Sequence, residues 1–237
     1  MHDLLTDHAR TRPVPSEDNP DNREPDARDQ ALARLLGFYT AVVGAAHDHL
    51  RALSGDTLPE VFVDPQQALS WLEAEYDNLI TAVHTAHTTG DTTTAIRLPA
   101  ILGEYLNRSR RFEDAITVYT RAQETAHRTG DTHREAGAWN NLGSALREVR
   151  RFDEAIDAHS RARQTFHQVG DAHSEAQAWN NLGLALARTG RRQKAHEAFG
   201  RAVQGFGDTH DAHSLATALK NWSELQQRRP WWQFWRR

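Results

Sequence analysis

The sequence has 237 residues, 38% of them hydrophobic and 25% charged, the balance of a folded chain with material for one or two cores. It holds no cysteine, which excludes disulfides, thiol catalysis and cysteine-ligated zinc, and its apolar runs stop well short of the roughly 20 residues that a bilayer-spanning helix needs. The formal charge of −4 falls within residues 1–29, where eight acids face four arginines; residues 30–237 are neutral and lack the basic face through which proteins neutralise nucleic-acid phosphates.

In chain order, Met1-His2-Asp3-Leu4-Leu5 and His8-Ala9-Arg10 come first, without the basic-then-apolar layout of a signal peptide, so the expected location is the cytoplasm. Residues 10–29 contain four prolines and six acids and almost nothing apolar, the composition of an extended or disordered linker. Residues 30–53 predict a helix with Leu32, Leu35, Leu36, Tyr39, Val42 and Val43 on its apolar side. Asp64-Pro65 then gives an N-cap with proline in the first turn, opening a helical stretch through Trp71 and Leu79 to Thr89. Because residues 82–90 align with 122–130, that stretch is expected to supply the second helix of an atypical first unit, and residues 30–89 to cap a repeat array.

From residue 90 onward the chain repeats. Trp139-Asn140-Asn141-Leu142-Gly143 recurs as Trp179-Asn180-Asn181-Leu182-Gly183, and Gly-Asp stands at 90–91, 130–131 and 170–171. The unit is 40 residues long: 90–129, 130–169 and 170–209 are full copies, and 210–229 is half of one. Apolar positions within a copy fall at spacings of three, four and seven, so each half is an amphipathic helix. Asp131 and Asp171 are placed as N-caps, and Gly130 and Gly170 as left-handed helix ends. Gly143 and Gly183 lie inside helices, where glycine costs about 1 kcal/mol relative to alanine; close approach of the paired helix, with Ala155 and Ala195 small on the facing side, is the expected compensation.

The positions Trp139, Leu142, Gly143, Leu146, Ala155, His159 and Ala162 resemble the signature of the tetratricopeptide repeat family. Trp179, Leu182, Gly183, Leu186, Ala195, Phe199 and Ala202 repeat it, as do Pro99, Leu102, Gly103, Leu106, Ala115, Tyr119 and Ala122. Pro99 departs from the expected aromatic and should kink or start its helix; His159 replaces another aromatic. The 40-residue length is similar to the longer-helix subtype of kinesin light chains and spindle-orientation adaptors. The resemblance covers residues 90–229 and implies an all-α, right-handed superhelix of antiparallel helix pairs, without catalytic activity or cofactor, binding a protein or peptide partner in a concave groove as a monomer or weak oligomer. The positions after the signature aromatic are Asn140-Asn141, Asn180-Asn181 and Lys220-Asn221, a ladder of amides able to hydrogen-bond an extended peptide backbone. Asn140 and Asn180 are the ligand-contact candidates, whereas Asn141, Asn181 and Asn221 more often bridge repeats. Arg97, Glu104, Arg108, Arg147, Arg188 and Glu224 fall at other groove positions and mix signs, so neither a uniformly acidic nor a uniformly basic ligand is implied.

The fourteen histidines are mostly products of duplication, at 87, 127 and 167 and at 133, 173 and 213, each a helix pair apart and too distant to share one metal ion. His84 with His87, and His210 with His213, lack a third ligand nearby in sequence, and no nucleophile-base grouping stands out, so no metal or catalytic residue is expected.

Met1-His2-Asp3 also resembles the Met-His-Asp motif that closes the nucleotide-binding module of NB-ARC-type STAND ATPases. In bacterial members, common among actinobacterial regulators, an acidic linker, a helix, a Trp-Leu-Glu-Ala-Glu-x-x-Asn-Leu segment and tetratricopeptide repeats follow; here that segment is Trp71-Leu72-Glu73-Ala74-Glu75-Tyr76-Asp77-Asn78-Leu79. The resemblance implies that His2 and Asp3 are the remnant of a nucleotide-sensing motif and that the chain is the sensor and docking part of such a regulator. No Gly-x-x-x-x-Gly-Lys-Ser/Thr loop is present to cradle a triphosphate, so the alternative is a fragment whose nucleotide-binding part is missing or encoded upstream. The segment 230–237, with Trp231, Trp232 and Trp235 between arginines, suits either a plug folded back on the last helix or contact with a membrane interface.

Overall fold

A computed structural model describes residues 26–52 and 55–227. Among them there are ten helices and no strand, joined by short turns, so the all-α helix-pair repeat expected from the sequence is the architecture found. The chain divides between Thr129 and Gly130 into two compact units.

The first unit holds α1 (Ala27–Arg51), α2 (Pro65–Ala74), α3 (Tyr76–Thr89), α4 (Thr92–Arg108) and α5 (Phe112–Thr129). Helix α1 packs on α2 and α4, while α3 packs on α4 and α5. Leu36, Tyr39, Val43, Leu72, Leu79, Val83, Leu98, Leu102 and Leu106 are fully buried there. Helix α1 opens three residues before its predicted start because Asp26 caps it, accepting from the backbone N–H groups of Arg28 and Asp29 at 2.8 Å each. The stretch from Asp64 to Thr89 is two helices rather than one. Glu75 leaves helical geometry at φ −94°, ψ 3°, and its carboxylate accepts from the Tyr39 hydroxyl at 3.1 Å and the Asn78 amide at 2.9 Å. Pro99 neither starts nor ends its helix: it lies buried within α4, which runs unbroken from Asp91, its N-cap, to Arg108.

The second unit holds α6 (Thr132–Glu148), α7 (Phe152–Val169), α8 (Ala172–Arg188), α9 (Arg192–Asp208) and α10 (Ala212–Gln227), each packed on the next. Asp131, Asp171 and Asp211 cap α6, α8 and α10 through the backbone N–H groups of Arg134, Ser174 and Ser214 at 3.0–3.1 Å. Helices end in a left-handed residue with paired backbone bonds closing the last turn, as where Arg150 N–H reaches Arg147 O at 3.1 Å and Arg151 N–H reaches Leu146 O at 2.9 Å. Glycine takes the left-handed position at 170 and 190, but Arg150 (φ 66°) and His210 (φ 56°) hold it with side chains.

The glycines at the repeat signature make room for a ring, not for the facing alanine. A Cβ on Gly143 would lie 2.8 Å from the His159 imidazole, and one on Gly183 would lie 2.8 Å from the Phe199 ring. Gly103 stands in the same way against the Tyr119 hydroxyl. Ala155 and Ala195 are fully buried, yet neither is the group that a side chain at the glycine would meet.

Candidate peptide-binding face

The structure links the predicted amides in a fixed order. Asn181 Nδ2 donates to Asn140 Oδ1 at 3.2 Å, and Asn221 Nδ2 donates to Asn180 Oδ1 at 3.0 Å, so the second amide of one repeat reaches back to the first amide of the preceding repeat. The helices that carry them, α6, α8 and α10, touch in sequence along one side of the second unit. All five asparagines are half-buried and Lys220 is exposed. The ladder consumes the carbonyl oxygens of Asn140 and Asn180 and leaves their Nδ2 groups out of it.

His159 fixes the orientation of the first rung. Its Nδ1 lies 3.0 Å from Asn140 Oδ1, the same oxygen that accepts from Asn181. A carboxamide oxygen only accepts, so Nδ1 carries the proton and Nε2 is a bare acceptor, buried without a partner. Burial, and then the nearby Arg147 guanidinium, push the imidazole down to about 3, which keeps it neutral. Arg147 is half-buried; its Nη2 donates to Glu148 at 3.2 Å, while Nη1 is buried with no acceptor. Arg188 is exposed and its guanidinium carbon stands 5.3 Å from the Phe152 ring centroid. In the first unit, Arg108 binds Glu104 at 2.7 Å and the Leu50 carbonyl at 2.7 Å, so that predicted pair is engaged within the fold.

Two polar systems escaped the sequence reading. In the first unit, the segment picked out as a family-like motif is a lattice of cross-links: Glu73 accepts from Tyr105 and binds Arg111 at 2.8 Å, Tyr76 donates to Asp114, and the Arg111 guanidinium lies 3.7 Å from the Tyr76 ring centroid. Burial and the partner carboxylates push the Tyr39 and Tyr105 hydroxyls up to about 12 and raise Tyr76 further, so all three stay protonated donors. In the second unit, the periodic histidines join neighbouring repeats. His133 sits edge-on to Phe166, 5.7 Å between centroids, and its Nε2 lies 2.8 Å from Asp171; His173 stands likewise by Phe206 at 5.8 Å and Asp211 at 3.7 Å. Burial works against ionisation of Asp171, but bonds from Ser174 and His133 outweigh it and hold the carboxyl below its ordinary range. The 40-residue histidine period thus marks repeat-to-repeat joints. Among the described residues no group of three His, Asp or Glu side chains converges to hold a metal ion, and no helix is long and apolar enough to cross a membrane. His2, Asp3, Trp231, Trp232 and Trp235 lie outside the described residues.

Residues 134–208 match the family described as Tetratricopeptide repeat. No curated protein matches the sequence. Among solved structures, the crystal structure of BtubC (BKLC) from P. vanneervenii is similar over 82% of this chain and 83% of that one, with a TM-score of 0.51 and 17% identity, a likeness of fold alone. With the ten helices described above, these likenesses identify the fold as an all-α solenoid of tetratricopeptide type.

Proposed function

We propose that the protein is a non-catalytic interaction module that holds an extended peptide segment of a protein partner against α6, α8 and α10. The observation that carries this reading is the polarity of the amide ladder. Asn140 and Asn180 spend their oxygens inside the fold and keep amide donors, while Asn181 and Asn221 spend a donor and keep their oxygens. Each rung therefore offers a donor beside an acceptor, the complement of one peptide unit. Arg147, Arg188 and Lys220 bring positive charge and Asn141 a neutral amide beside those rungs, while Glu148, paired with Arg147, and Glu224 bring negative charge, a mixture that favours a partner recognised by its backbone over one recognised by net charge. Substituting aspartate for Asn140 and Asn180 separates binding from folding, because a carboxylate keeps the acceptor that Asn181, His159 and Asn221 use and loses both donors. A displayed library of random peptides is expected to enrich on the parent protein and not on Asn140→Asp/Asn180→Asp, whose helical circular dichroism stays unchanged. Equal enrichment on both proteins refutes the groove assignment.

The regulatory role is proposed as the sensor and docking part of a STAND-type regulator. It rests on the Met1-His2-Asp3 and Trp71–Leu79 resemblances together with the helical repeats that follow them. Sequencing the nucleotides upstream of the reading frame tests it: a frame encoding a Gly-x-x-x-x-Gly-Lys-Ser/Thr loop, continuous or adjacent, is expected. Its absence leaves an adaptor without a nucleotide switch.

A further inference from the structure

Three helices of the second unit carry one polar pattern. Asn140, Asn180 and Lys220 stand at one register and Asn141, Asn181 and Asn221 at the next, on α6, α8 and α10 in turn. The ladder spends Oδ1 of Asn140 and Asn180 and one Nδ2 proton each of Asn181 and Asn221. What is left over has a fixed order. The Asn140 and Asn180 amide donors have no partner among the described residues and are not buried, and the same holds for the Asn181 and Asn221 oxygens. Lys220, exposed at the donor register of α10, continues the row.

The interval between rungs decides which backbone can use them. A carboxamide is a short side chain, so bonds of 3.2 and 3.0 Å between two of them hold neighbouring helices at packing distance, about 8–10 Å between axes. A segment crossing those helices advances about three residues per rung, whether as a strand at roughly 10 Å or as polyproline II at roughly 9.3 Å. The two conformations differ in what they show at that interval. In a strand, successive residues alternate between faces, so residues three apart turn their N–H and C=O to opposite sides and every second rung goes unmet. Polyproline II has three residues per turn, so residues three apart present the same groups in the same direction. The rungs are copies of one another with donor and acceptor in the same order, and the threefold repeat meets them all. Polyproline II also makes no internal hydrogen bond, which leaves both backbone groups of each third residue free for the asparagines.

We propose that the partner segment is a left-handed polyproline II helix lying across α6, α8 and α10 with every third residue on a rung, its N–H toward Asn181 or Asn221 and its carbonyl toward Asn140, Asn180 or Lys220. This rests on the peptide-binding reading above and adds the ligand's conformation and period. Residues between rungs need no N–H, so proline is accepted at two positions of three and excluded from the third; it also fixes φ in the free segment, so less freedom is lost on binding. Fluorescence polarisation with the full chain and end-capped peptides tests it. A repeated Pro-Pro-Ala peptide of about 15 residues is expected to bind at least about tenfold tighter than repeated Pro-Ala of the same length, whose N–H groups miss the middle rung. The same margin is expected over Pro-Pro-Ala with N-methylated alanines, which loses the rung N–H groups, and on the parent over Asn140→Asp/Asn180→Asp. Equal affinity for the Pro-Pro-Ala peptide and its N-methylated form overturns the proposal. So does a random library that enriches on the parent protein while the Pro-Pro-Ala peptide fails to bind; the groove reading then stands and the ligand's conformation falls. If Asn140→Asp/Asn180→Asp weakens neither the library peptides nor Pro-Pro-Ala, the groove reading falls and the proposal with it.

Discussion

His159 shows how one side chain departs from its repeat and gains a role. Tyr119 and Phe199 occupy the same register, and only the imidazole reaches the amide ladder, through Asn140. Its folded-state value lies far below the ordinary 6.5, so in acid the unfolded chain takes up a proton that the folded chain refuses. The stability it secures is complete above about pH 6.5 and falls as the pH drops toward about 3, at up to roughly 1.4 kcal/mol per pH unit. Urea melts at pH 7 and pH 5 are expected to differ less for His159→Phe than for the parent. The glycines supply a second residue-scale prediction. Gly143→Ala drives a methyl into the imidazole and is expected to cost about 1–3 kcal/mol, against the helix-propensity gain of about 1 kcal/mol. Gly137→Ala, in the same helix with nothing within 4 Å, keeps that gain and is expected to stabilise by up to about 1 kcal/mol in thermal or urea melts. The sequence marked both Gly143 and His159 as unusual, but could not pair them, because facing residues on two helices are related by packing and not by spacing.

Helix boundaries were readable where their cause is local. The Gly-Asp junctions place a left-handed residue and a cap side by side, and Asp131 and Asp171 cap as the sequence predicts. The break at Glu75 was not readable, because it coincides with a hydroxyl 36 residues away on α1. Pro99 does not start its helix: its missing N–H costs one helical bond, and it lies buried inside α4. Two element-scale predictions follow from the turns and the tyrosine lattice. Arg150→Gly relieves a left-handed residue at φ 66° and is expected to stabilise by about 0.5 kcal/mol, with Gly190→Arg giving the opposite sign in urea melts. Tyr105→Phe deletes the bond to Glu73 between α4 and α2 and is expected to cost about 1–2 kcal/mol, and to raise hydrogen exchange in α2 more than in α5.

For the molecule as a whole, composition and period carried most of what was legible. A 40-residue repeat of small and large apolar positions specifies helix pairs, and residues 30–237 sum to zero charge, the four arginines of 228–237 offsetting an excess of four acids in residues 30–227. That neutrality predicts a weak salt dependence: the affinity of a selected peptide is expected to change by less than about threefold between 50 and 200 mM salt, measured by fluorescence polarisation, against the several decades lost by a phosphate-binding surface. The candidate face was legible as a set of polar positions in register. Its polarity was not, since two asparagines look alike until the donor and acceptor ends are assigned. Each rung joins a residue to one 41 positions further on, and the reach is the same at both rungs. An internal duplication of one whole 40-residue copy therefore lengthens the ladder by one rung and leaves every existing partner in place, so the array can grow by tandem copying of its own gene segment without any compensating substitution.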